Sequence, residues 1–209
     1  VFDASSLVTF VAAGLLLNVT PGPDVLYIVG RSLSQGRTAG IVSALGIAVG
    51  CLVHVAAAAL GLSTLMVTVP AVYDVVRLAG AGYLVWLGVG ALRSHPRHLT
   101  LAELAPVSMG TIFRQGMLTN ALNPKVALFF LAFLPQFTDA ARGPLALQFV
   151  LLGLLFIANG LVVCVAYAVA ASALGSWLTS RFEVHAWLNR AMGALFVALG
   201  VRLALATRR

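Results

Sequence analysis

Between Gly143 and Ser180 the chain carries no charged residue. A helix crosses a ~30 Å hydrocarbon core with about 20 residues, and this run exceeds that. A soluble helix of such length would show a polar face along one side. Apolar runs of about 20 residues recur along the 209-residue chain. Mean hydropathy is +1.02 and only 9% of residues are charged. These features exclude a soluble domain and predict an all-α integral membrane protein.

Six spans are expected, as a single transmembrane domain over residues 1–209. They run from about Ser5 to Val29, Thr38 to Met66, Tyr73 to Leu92, Thr111 to Phe137, Leu145 to Leu174 and Ala186 to Ala206. Arg31 to Arg37 reads as a short basic turn, and 94–110 as a basic loop. The N-terminus lacks the basic region of a signal peptide, so the first span is expected to be retained. The net charge of +7 comes from arginines in loops and at span ends. No basic stripe interleaved with aromatics suggests nucleic acid, and anionic lipid headgroups are the expected contact.

Two spans are interrupted by proline. Pro21-Gly22-Pro23-Asp24 breaks the first, and Asn123-Pro124-Lys125 breaks the fourth. Proline removes a backbone donor and cannot continue a regular helix. In a bilayer, irregular backbone is tolerated only where it packs on protein or lines a cavity. Lys125 is the only lysine, and Asp24 reads as the only acid within an apolar span. A charge at mid-membrane costs on the order of 3 kcal/mol on insertion scales, and such residues usually serve a site or a partner.

The two halves resemble each other. Leu87-Gly88-Val89 recurs as Leu199-Gly200-Val201, an offset of 112, and each half opens with the broken helix. Three spans per repeat invert the second copy. Repeat 1 is then about 1–93 and repeat 2 about 111–209. Inverted repeats with matched breaks point to a midplane site at their interface. Arg31, Arg37, Arg93, Arg97, Arg114 and Arg181 fall in three loops on one side, which positive-inside topology assigns to the cytoplasm. The C-terminal Arg208 and Arg209 oppose that orientation.

Asp24 and Lys125 suit either a structural pair or the two ends of a small zwitterion, Asp24 toward an ammonium and Lys125 toward a carboxylate. Helix N-termini after Pro23 and Pro124 would add positive dipole ends. Asp24 is also the proton-carrier candidate, because burial and a nearby ammonium act on it in opposite directions. Asn18, Asn120, Asn123, Gly22 and Tyr27 are further substrate-binding candidates beside the breaks, with Phe129 and Asn159 behind them. His54, on the face of Gly46 and Gly50, is a second coupling candidate. Cys51 and Cys164 read as packing residues, and no metal or cofactor set is present. Hydrolase and phosphate-loop motifs are absent, which argues against an enzyme. A channel, or a scaffold subunit in which Asp24 and Lys125 only pair, remains an alternative. Small-residue faces permit a homodimer without requiring one.

Thr20-Pro21-Gly22-Pro23-Asp24, then Gly30-Arg31-x5-Gly36-Arg37-x2-Gly40 and Ala44-Leu45-Gly46-x3-Gly50, resembles the LysE/RhtB family of amino-acid exporters. Asn120-x2-Asn123-Pro124-Lys125 and Phe133-Leu134-Pro135-Gln136-Phe137 are similar to its second-half signature. The resemblance covers nearly the whole chain. It implies a bacterial inner-membrane exporter of small amino acids or close derivatives, driven by the proton gradient or membrane potential. It implies roles for Pro21, Gly22, Pro23, Asp24, Asn123, Pro124 and Lys125. One repeat rocking against the other is the mechanism expected.

Overall fold

The structure, a computed structural model, describes residues 2–68, 70–93 and 105–174, and isolated helical positions between 190 and 205. Among these residues every regular element is helical. Helix α1 (Ala4–Val19) starts at Asp3, whose carboxylate accepts the Ser6 N–H. Helix α2 (Pro23–Ala56) continues through a π turn (Ala57–Leu62) into α3 (Ser63–Thr68). Helix α4 is Pro70–Arg93, α5 Met109–Ala121, α6 Pro124–Ala132 and α7 Leu145–Leu174; short 3-10 turns cover Leu134–Phe137 and Ala140–Arg142.

Among the described residues two helices, Pro23–Met66 and Leu145–Ala173, are long and apolar enough to cross a membrane. The bent pair Met109–Ala121 with Pro124–Phe137, at 45°, makes a third. Most of the sixth expected span and of the 94–110 loop, with Arg97, Arg181, Arg208 and Arg209, lies outside the described residues.

Pro23–Met66 is not a straight rod. At about 1.5 Å per residue it would be roughly twice as long as the core is thick. Gly36 has φ 80° and ψ 179°, a conformation open essentially to glycine alone. Ser32 and Gly40 would stand about 12 Å apart along a straight helix, yet a Cβ added to Gly40 would strike Ser32 Oγ. The chain therefore folds back at Gly36, and 23–35 and 37–56 are two arms.

This corrects the expected basic turn at Arg31 to Arg37. The arm stays helical through Gln35 and reverses at one residue, so Arg31 is a buried helical residue (5% exposed) rather than a loop arginine. A second correction concerns Asp74: it lies within α4, so Asp24 is not alone as an acid on a long apolar helix.

Helix α5 packs against both arms of α2. Gly46 and Gly50 meet the Phe113 and Met117 carbonyls without room for a Cβ, and a Cβ on Gly116 would sit 2.7 Å from Ser43 O. Small residues allow this backbone approach, which is how helices gain contact in lipid. On the other side α7 runs along α1 and the second arm of α2: Asn159 reaches Val11, Tyr167 reaches Val19, and Gly153 abuts Val55. Below the breaks, Phe10, Phe129, Phe133, Phe137 and Phe156 interlock with centroids 4.7–6.2 Å apart. Phe129 belongs to this core, which fixes α6 against α1.

Candidate functional site

Both breaks are built from their local sequence. Helix α1 ends at Val19 because Pro21 and Pro23 cannot supply the next N–H groups. Its last carbonyls must find other donors, and each of the following does. Leu16 O accepts the Thr20 N–H and hydroxyl. Val19 O accepts the Tyr167 hydroxyl at 2.6 Å. Lys125 Nζ donates to Leu17 O at 3.1 Å and Thr20 O at 3.2 Å. The ammonium thus caps an unwound helix end, where a cation is also favoured by the dipole.

At the second break Asn123 caps α6, its Oδ1 accepting the Lys125 N–H at 3.0 Å, with Pro124 in the first turn. That pre-set φ and side-chain cap suit a helix start. Asn123 Nδ2 and Asn120 Nδ2 donate to Asp24 Oδ2 at 3.0 and 2.9 Å. Asp24 stands in the first turn of α2, where its charge is favoured. A Cβ at Gly22 would come within 3.0 Å of Lys125 Nζ, so glycine leaves room for the ammonium to cross the break.

Asp24 and Lys125 do not hydrogen-bond to each other: one is held by two amides, the other by two carbonyls. They nevertheless line one cavity of about 30 Å³, together with Asn18, Asn120, Gly160 and Cys51 among others. A buried polar atom without a partner is uncommon. Three residues of this one cavity carry such atoms: Asn18 Nδ2, Asp24 Oδ1 and Asn120 Oδ1. The space presents an unspent donor and an ammonium alongside two unspent acceptors. Its volume holds a water or two and is too small for an amino acid.

The remaining expected residues divide. Asn123 lies behind Asp24 rather than on the cavity wall. Tyr27 does not reach the cavity; its hydroxyl donates to Ile112 O at 2.9 Å and to Gln115 Oε1 at 3.1 Å. His54 is buried and donates from Nε2 to Asn120 O at 2.9 Å, so it touches the site through the backbone. Asn159 lies off the cavity wall; its Nδ2 donates to Val11 O at 3.2 Å, while its Oδ1 is buried without a partner. Among the described residues no group of three metal-ligating side chains forms.

Sequence reasoning missed Tyr167, Phe156 and the cavity-lining role of Cys51 and Cys164. A lone tyrosine in an uncharged run was the available signal for Tyr167. The cysteines gave none, because a small apolar residue reads alike on a core and on a cavity wall.

The family model of the LysE type translocator matches residues 15–207. The chain is similar to the homoserine/homoserine lactone efflux protein of Salmonella typhimurium, at 31% identity over 201 residues, 93% of this chain and 94% of the relative. It is 31% identical over 204 residues to an uncharacterized membrane protein of Pseudomonas aeruginosa (95% and 94% covered). It is 28% identical over 204 residues to the leucine efflux protein of Salmonella choleraesuis (94% and 93% covered). No solved structure matches the chain. With its long apolar helices and a family match over most of its length, this multi-pass membrane protein belongs to the LysE type translocator family.

Proposed function

We propose that this chain is a secondary transporter that exports a small zwitterionic amino acid, or a close derivative, across the bacterial inner membrane. The observation that carries the reading is the cavity at the two breaks, with its unspent polar atoms beside one carboxylate and one ammonium. A substrate ammonium would take Asp24 Oδ1 and Asn120 Oδ1, and a substrate carboxylate would take Lys125 Nζ and Asn18 Nδ2. Relatives named for homoserine and leucine efflux support the amino-acid class.

The small volume gives the mechanism its direction. A substrate must widen the cavity, and it can do so by replacing bonds that the empty site makes to itself. Asn120 and Asn123 would release Asp24 as the substrate ammonium arrives. Proton coupling through Asp24 fits the same geometry, since a protonated carboxyl no longer demands two amide donors. Alternating access follows if each ligand binds one state better than the other.

Reciprocal contacts support six spans in two inverted repeats. Gly22 faces Lys125 while Asn123 holds Asp24. Gly40 faces Ala168 while Gly153 faces Val55. Gly88 faces Gly193 while Gly200 faces Ala81, and the offset of 112 relates Gly88 to Gly200 and Ala81 to Gly193, so it carries one contact onto the other. A two-fold relation makes contacts occur in such mirrored pairs. The repeats would be about 1–93 and 111–209 within one domain.

The test is uptake of a labelled amino-acid panel into everted membrane vesicles holding the full chain, with and without a proton gradient. Saturable uptake of at least one amino acid that rises with the gradient is expected. Absence of uptake for every amino acid overturns the export reading.

A further inference from the structure

A polar seam leaves the cavity along the first arm of α2. Asp24, Tyr27, Arg31 and Gln35 recur at helical spacing on one face, and their partners step backward through the second half of the chain. Asp24 meets Asn120 and Asn123; Tyr27 meets Ile112 and Gln115. Arg31 donates to Gln115 Oε1 at 2.9 Å, Gln35 Oε1 at 3.1 Å and Ala105 O at 3.0 Å. Gln35 exchanges two bonds with the Val107 backbone, at 2.9 and 3.1 Å.

Arg31 is the anomaly in this seam. It is 5% exposed, and its guanidinium contacts are all neutral: two amide oxygens, one carbonyl and the Tyr27 ring, 5.7 Å from its centroid. Its Nε is buried without a partner. Arginine has a planar fork suited to a carboxylate, yet among the described residues none of these contacts is a carboxylate. Two helical turns, about 10 Å, separate it from Asp24.

We infer that Arg31, framed by Gln35 and Gln115, is a second station that binds the carboxylate of the transported amino acid on its path between the cavity and the 105–107 segment. The inference rests on the export reading. A carboxylate there would replace the Gln115 and Ala105 oxygens on Arg31. That exchange loosens the strap holding 105–107 to the arm, so occupancy and opening occur together.

The test compares an amino acid that the wild-type chain carries with its primary amide, which lacks the carboxylate. The amide is read as a competitor of labelled uptake in everted vesicles. Arg31→Gln removes the fork. Gln115→Glu keeps the shape and places a fixed carboxylate against the guanidinium, so it is the variant expected to fold without difficulty. Both should raise KM for the amino acid about tenfold and leave the inhibition constant of the amide unchanged. A strap with no ligand role would shift both constants equally, or neither, and either result overturns the inference. If Arg31→Gln fails to reach the membrane, Gln115→Glu alone decides. A wild-type chain that carries no amino acid defeats the export reading itself; wild-type transport with an unmoved ratio defeats only the second station.

Discussion

Replacing Lys125 with methionine removes the ammonium and keeps the stem. The ammonium donates to Leu17 O and Thr20 O at the broken end of α1. Hydrogen bonds involving a charged group contribute about 1.5–3 kcal/mol each, so two lost bonds come to about 3–6 kcal/mol. Against this, a cation at mid-membrane costs on the order of 3 kcal/mol to insert, and methionine avoids that cost. The balance is a destabilisation of about 0–3 kcal/mol, well inside the roughly 5–15 kcal/mol of a typical folded chain. Lys125→Met should therefore migrate as a folded species in gel filtration, melt a few degrees lower, and fail to drive amino-acid uptake in vesicles. Uptake within about twofold of wild type, against the tenfold that 1.4 kcal/mol represents, would show that the ammonium serves only to cap α1.

Four further outcomes follow from the same contacts. Exchanging the charges, Asp24→Lys with Lys125→Asp, should rescue neither folding nor uptake, since the new lysine would face two amide donors and the new aspartate two carbonyls; recovery by thermal melting would contradict this. Gly50→Ala should destabilise by about 1–3 kcal/mol through overpacking against Met117 O, whereas Gly61→Ala, with open space around it, should be neutral or slightly stabilising in the same melting assay. Gly36→Ala should cost about 1–3 kcal/mol for its positive φ, read as a lower melting temperature. Asp3, outside the spans, has its carboxyl lowered to about 2 by the Ser6 N–H and the Ser5 hydroxyl; its contribution to α1 is present above its usual pKa near 4 and lost as pH falls toward 2, and Asp3→Ala should abolish that acid-range change in α1 hydrogen exchange.

Much of the site was legible because its residues violate composition. A lone lysine, an acid beside two prolines, and asparagines at both breaks stand out in an apolar chain, and they meet in space. Positions of the breaks were legible for the same reason, since proline acts locally. What was not legible depends on long-range geometry. Nothing local to Arg31 tells whether it ends a loop or lies within a helix, because one glycine at φ 80° does the work assigned to a seven-residue turn. Likewise the hydroxyl of Tyr27 turns toward α5 and not the cavity, which depends on where Ile112 and Gln115 fall.

The glycine contacts between α2 and α5 carry a consequence for motion. Backbone touches backbone at Gly46, Gly50 and Gly116, so there is no layer of side chains there to slide or repack. Helix α5 belongs to the second half of the sequence and the arms of α2 to the first. Any rigid body that swings during transport must therefore include pieces of both halves. The hinge is better sought at the joints flanking α5, the 105–107 strap and the Asn120–Pro124 break, than at the seam between the two halves of the sequence.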